Sequence, residues 1–293
     1  MASYFRSLLC LWHLDSNRRA SRVVRFLFRS GRAPSAFTRW LDSTHHDPML
    51  RYWCAHSPRL FIKPSRHYIN RDYSIADRIQ RIESHYRRIG GLFSAETVAA
   101  LAQGQLLKLA EFSGKSGLPY EIVLRKTNKF DREGELGLVL KECAEQDGIF
   151  YLIFSLPSVN GTKILEIGCL QGEKGDAARA RIRQATKDML GNRPKMLLME
   201  VMSVLAHGWQ VDGIVGVSNA NRVFSSARTY ADYDAFWQEL GARPGPRGMF
   251  DVPSEILHKS EDDIDSKHRS AHRKKMAFLA TMRQSVATRA AGL

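Results

Sequence analysis

Ile149-Phe-Tyr-Leu-Ile-Phe-Ser-Leu156, followed by Pro157-Ser-Val-Asn160-Gly161 and then Thr162-Lys-Ile-Leu-Glu-Ile-Gly-Cys-Leu170, is the stretch that decides the fold. The first run is apolar except for one serine and stops at a proline, which reads as a buried strand. Asn-Gly suits a hairpin turn, because both central residues must take a positive φ. Lys163 to Leu170 then reads as the returning strand. Upstream, Asp147-Gly148 gives the same turn signal. Before it, Leu136, Leu138 and Leu140 alternate with other residues, as do Tyr120, Ile122 and Leu124. A period of two marks half-buried strands. Tyr120 to Leu170 is therefore expected to be a four-stranded antiparallel meander.

Helical patterns flank this sheet. From Asp176, Ala178, Ile182, Ala185 and Met189 form one apolar stripe, with arginines and Lys187 opposite. Gly191 stops that helix, and Pro194 suits the first turn of the next. Lys195 to Trp209 is apolar nearly all round, as a buried helix is. Val211 to Val217 reads as an interior strand, Asp232 to Leu240 as a helix, and Met249 to Val252 as a short strand. The last thirty-five residues read as a charged helix with Lys267, Arg269, Arg273, Lys274 and Lys275. Before the meander, residues 50–112 look helical, with Ile75, Ile79, Ile82 and Tyr86 on one stripe. Ser94 opens a second helix after Gly90-Gly91. The expected architecture is mixed α/β, α+β-like: an antiparallel meander followed by helices and a further central strand. Three segments are expected: a basic amphipathic leader at 1–45, a helical lead-in at 46–115, and a mixed α/β domain at 116–293.

Length and composition bound the function. A chain of 293 residues, 44% hydrophobic and 25% charged, can bury a sizeable core. Forty-four basic against thirty acidic residues give a net charge of +14. That surface favours an anionic partner, either a membrane surface or a phosphorylated small molecule; nucleic acid rests on charge alone. Cys10, Cys54, Cys143 and Cys169 form no CxxC pair, so zinc-finger spacing is absent and no metal site is expected. Too few for a disulfide scaffold, they suit a reducing cytoplasm. Met1 to Leu14 is too short to span a bilayer and lacks a clear cleavage site. The arginine-rich leader could lie on the inner-membrane surface, although a helix packed on the main body is the plainer alternative. Composition leaves the oligomeric state open.

No nucleotide-binding, zincin or serine-hydrolase motif is present. Glu200 is the most unusual residue, a carboxylate among Leu197, Met199, Val201 and Met202. It is read as a general base or polar anchor, with a structural salt bridge slightly favoured. His207 lies two turns on, near the same face. Ser218-Asn219 lies past the carboxyl end of a buried strand, where open α/β sheets tend to bind ligands. Gly168 to Gly175 is a glycine-rich strand-to-helix turn whose helix N-terminus could receive an anion. Tyr233-Asp-Ala-Phe-Trp237 heads a helix and carries the large aromatics Phe236 and Trp237.

Taken together, several segments resemble the VirK/YbjX family of bacteria. They are Ile167-Gly-Cys-Leu-Gln-Gly172, Ala185-Thr-Lys187, Arg193-Pro-Lys195 with Glu200, Val217-Ser-Asn219, and Asp232 to Trp237 with Gly241. His85-Tyr86, Asp131 to Gly134 and Ser266-Lys267 extend the likeness to roughly residues 50 to 280. Arg222 stands where members often carry a histidine, and Ser225 to Ala231 is short. The resemblance implies a role in virulence, in envelope stress and in tolerance of cationic antimicrobial peptides, and it carries no established catalytic residue. By analogy of fold, the element order is similar to GNAT-type acyltransferases, which would use an acyl-CoA or acyl carrier protein thioester. Their typical arginine-glycine loop is not visible. On that analogy Glu200, His207 and Ser218 are the candidate catalytic residues. Gln171, Gly172, Lys187, Lys195, Asn219, Tyr233 and Trp237 are the candidate ligand contacts.

Overall fold

The computed structural model describes residues 33–224 and 231–293, together with Phe28 and Gly31. Most of the expected basic leader, and Ser225 to Tyr230, lie outside the described residues.

Five strands build the first part of the sheet: β1 Leu107–Ser113, β2 Pro119–Lys126, β3 Leu136–Glu142, β4 Phe150–Ser155 and the two-residue β5 Ser158–Val159. The long β6 Thr162–Gly172 follows, then β7 Gly213–Val217, β8 Arg243–Pro244 and β9 Met249–Val252. The sheet order is β1-β2-β3-β4-β6-β7-β9-β8, with β5 paired to β6. Neighbours are antiparallel except β6 and β7, which are parallel. The Asn-Gly turn forms as expected. Asn160 and Gly161 both have positive φ, 53° and 84°, and join β5 to β6 with Val159 opposite Thr162. Asp147-Gly148 does not: neither residue takes a positive φ, and β3 reaches β4 by a longer connection.

One expectation is corrected. Leu107 to Ser113 is an edge strand and not part of a helical segment. Leu, Lys, Ala and Glu favour helix locally, but pairing with β2 and cover from the last helix decide the outcome.

The helices are α1 Pro34–His46, α2 Pro48–His56, α3 Ile75–Leu92, α4 Ala95–Ala102, α5 Asp176–Asp188, α6 Pro194–Gly208, α7 Tyr233–Glu239 and α8 Ser266–Ala290. α3 begins in a full capping box: Ser74 Oγ accepts from the Asp77 N–H, and Asp77 accepts from the Ser74 N–H. The apolar α6 lies against β3, β4 and β6, and α8 covers α6 and β1. Phe37, Trp40 and Trp53 from the first helices share one core with Leu124 and Leu152 of the sheet and Leu198 of α6. A smaller cluster of Val123, Phe130, Val139, Tyr151, Ile153 and Cys169 covers the opposite face. Burial on both faces explains why the strand at 149–156 reads as a continuous apolar run. Among the described residues, no helix is long and apolar enough to cross a membrane.

Candidate functional site

The end of β6 positions the site. Ile153 of β4 sits opposite Cys169, but Phe154 sits opposite Ile167, so Gly168 is an extra residue and forms a β-bulge. On the other side, pairing with β7 runs from Ile164 opposite Gly213 to Ile167 opposite Gly216, and stops there. β6 continues for five residues without a strand on that edge. Tyr233 occupies part of the gap, its Oη accepting the Leu170 N–H at 3.1 Å. Alternation along the strand puts the Gly172 N–H on the same edge.

A cavity of about 590 Å³ opens beside that edge, within the range of small-molecule sites. Phe150, Leu170, Ile182 and Phe236 make it mainly apolar, and Lys174, Arg179 and Lys195 supply cations. Gly175, also in the lining, precedes α5 with φ 104° and gives that helix no side-chain cap. The N-terminus of α5 thus begins at the cavity's edge without a side-chain cap. Lys195 lies 4.3 Å from the centre of the Phe236 ring and 3.8 Å from Glu239. Burial, with Arg193 nearby, pushes its ammonium below the usual lysine range. Burial also drives the Tyr233 hydroxyl and the Cys169 thiol well up. Cys169 is therefore a protonated packing group and no thiolate nucleophile.

Of the residues singled out from sequence, the fold brings Gln171, Gly172, Lys195 and Tyr233 together in this cavity. The others lie elsewhere. Asn219 fastens β7 to α7: its N–H donates to Asp234, its Nδ2 to Asp232, and its Oδ1 accepts from the Tyr233 N–H. Ser218 Oγ accepts from the Asn221 N–H. Trp237 is fully buried, and its indole N–H donates to Val217 O at 2.9 Å. Lys187 and His207 are exposed and do not line the cavity. Glu200 is 2% exposed and is held as a structural ion pair by Arg283 of α8, with His258 Nε2 2.7 Å away. Its isolation among apolar neighbours signalled burial, but its partner is 83 residues away. Sequence reasoning does not single out Arg179 or Phe150 and gives Lys174 and Phe236 only within longer runs; their proximity depends on how β6 ends.

The family model described as "Protein of unknown function (DUF535)" matches residues 15–288, and the chain belongs to that family. Among its relatives is the uncharacterized protein YbjX of Escherichia coli (strain K12), 28% identical over 284 residues, covering 94% of this chain and 84% of that protein. An uncharacterized protein of Haemophilus influenzae is 33% identical over 122 residues, 40% of this chain and 41% of its own length. A second from the same organism is 29% identical over 192 residues, 64% and 63% of the two chains.

Proposed function

We propose that this protein is an acyltransferase of GNAT-like build that takes its acyl group from a thioester of CoA or of acyl carrier protein. The observation that carries the proposal is the edge of β6 beyond the Gly168 bulge, which no strand pairs and Tyr233 fills only in part, facing a largely apolar cavity. An amide-bearing arm can pair with such an edge as an added strand does. Lys174 and the uncapped first turn of α5 suit a pyrophosphate at the cavity mouth. The apolar walls suit an acyl chain. Catalysis would come mainly from orientation and from backbone N–H groups near the carbonyl. In the cell, this activity would serve the envelope-stress and peptide-tolerance role implied by the family likeness. The basic surface would draw the protein to anionic partners, including the inner-membrane surface.

Thermal unfolding with acetyl-CoA, palmitoyl-CoA, acylated acyl carrier protein and free CoA tests this. Ligand at a hundred times Kd adds about 2.7 kcal/mol, a rise in Tm of roughly 5 °C or more. Ala235→Trp, at an exposed lining position of α7, should block the cavity and abolish the shift while the protein stays folded. Absence of a shift with every thioester at millimolar concentration would end the proposal.

A further inference from the structure

A second cavity, of about 450 Å³, shares Gln171, Gly172, Glu173, Lys174 and Tyr233 with the first, so the two adjoin along the end of β6. Glu133 lines it. This residue belongs to the loop before β3, is 7% exposed, and is hydrogen-bonded to the Cys169 thiol next to the bulge. Its backbone oxygen rests directly on Gly168. Among the described residues Glu133 makes no salt bridge. Burial is the largest influence and pushes its carboxyl up to about 7, against the pull of Cys169, Arg132 and Lys174 and with the push of Asp131. The buried Tyr233 hydroxyl is a further titratable group close to it.

The same cavity carries the opposite charge elsewhere on its lining. Arg71, Lys129 and Lys174 contribute cations. Lys129 is paired with Glu173 at 2.7 Å, whereas Lys174 makes no salt bridge among the described residues. Phe130 and Phe224 supply aromatic walls, and the Arg132 guanidinium lies 3.8 Å from the Phe224 ring centre. A single cavity thus offers a proton-accepting carboxyl, apolar walls and cations.

We propose that this cavity is the acceptor site, taking a primary amine on a molecule that also bears a phosphate or carboxylate, with Glu133 receiving the amine's proton. The proposal rests on the thioester reading of the neighbouring cavity. The amine nitrogen attacks the thioester carbonyl, the N–C bond forms and its proton passes to the Glu133 carboxylate. The C–S bond breaks, sulfur leaves with its electron pair and takes a proton from solvent, and Glu133 returns its own proton to solvent. The basic groups hold the anionic end of the acceptor, and the side chain of Phe130 or Phe224 covers its middle.

Three probes separate the possibilities: O-phosphoethanolamine, 4-aminobutyrate and propylamine, titrated calorimetrically into the full chain with acetyl-CoA present. At least one anionic amine should bind, and propylamine at least tenfold more weakly. Phosphate preference or carboxylate preference identifies the anion. Arg71→Ala, at a cation that lines this cavity and not the donor cavity, should weaken the preferred anionic amine about tenfold. Transfer to that amine, followed by thiol release, should fall about a hundredfold in Glu133→Gln. The wild-type rate should rise with pH through about 7, and that step should vanish in the variant. Glu133→Gln should retain the acetyl-CoA thermal shift, showing that it is folded and that its donor cavity is intact. A carboxyl with a raised folded pKa stabilises the protein fully below its unfolded value and loses that contribution as pH rises through its folded value. Glu133→Gln should therefore melt several degrees above wild type at pH 8, with the gap closing near pH 4. If thioesters stabilise the protein but neither anionic amine binds, the acceptor site is refuted and the donor site stands. An unchanged rate and pH profile in Glu133→Gln refutes the proton-accepting role. If no thioester binds, the donor reading fails and the acceptor role fails with it.

Discussion

Gly168→Ala is expected to destabilise the protein by about 3 kcal/mol or more, a large effect for one methyl group. A Cβ at this position would lie 2.0 Å from Glu133 O and 2.9 Å from Glu133 C. The obstacle is backbone, so no rotamer change relieves it. The loop carrying Glu133 must lift away from β6 or the bulge must flatten, and either change disturbs the segment where the two cavities adjoin. Gly208→Ala at the end of α6 is the control, because its Cβ would meet nothing within 4 Å. That variant should be neutral or stabilised by a few tenths of a kcal/mol. Urea unfolding of both checks the prediction, and equal midpoints would show that the close approach at Gly168 is unimportant.

The second large effect concerns Arg81 and Glu166. Arg81 Nε of α3 meets Glu166 Oε1 of β6 at 2.8 Å, with their side chains 8% and 2% exposed. Tyr73 Oη donates to the same oxygen at 3.0 Å, and the Arg81 guanidinium lies 3.9 Å from the Tyr73 ring centre. Burial holds the Glu166 carboxyl above its ordinary range even with Arg81 and Tyr73 pulling it down. Arg81→Met removes the charge that compensates it and should cost about 3–5 kcal/mol at pH 8. Arg81→Met/Glu166→Leu should recover most of that loss, since an apolar pair leaves no buried charge behind. The pH dependence has a definite sign. A carboxyl whose folded pKa is raised favours the folded state at low pH and loses that contribution as pH rises through the folded value. The penalty in Arg81→Met should therefore shrink as the pH is lowered toward 5. A double variant no more stable than the single one would show that the lost stability lies in arginine packing.

Much of the sheet is legible in the sequence because its signals are local. Alternation at Tyr120 to Leu124 and Leu136 to Leu140, and the apolar runs at 149–156 and 163–170, correspond to β2, β3, β4 and β6. The apolar helix and the central strand are equally visible, as α6 and β7. β1 is hidden because Leu107-Lys-Leu-Ala-Glu carries helical propensity, and only its neighbours make it a strand. At the candidate site, Gln171, Gly172, Lys195 and Tyr233 could be found because they sit at element ends. Glu133 enters only with Asp131 to Gly134 as part of the family likeness, and nothing in those four residues marks it as buried. Its burial follows from the bulge pressing Gly168 against its backbone. Glu200 shows the opposite case: its local sequence signals a buried charge, and a helix far along the chain supplies the partner.

The helical layer is tied to late parts of the chain, and this bears on how the polypeptide matures. Asn70 Nδ2 donates to Arg247 O at 2.8 Å, Asn221 Nδ2 to Asp72 at 2.7 Å, and Arg247 Nη1 to Asp77 at 2.7 Å. These links span between 149 and 177 residues of sequence. During synthesis the two links to Arg247 cannot close until that segment has left the ribosome. Until then Asn70 and Asp77 lack these partners. Such distant closures slow folding and lengthen exposure to aggregation. Chaperone demand in the cell should therefore fall on the nascent chain, well before the finished protein meets any substrate.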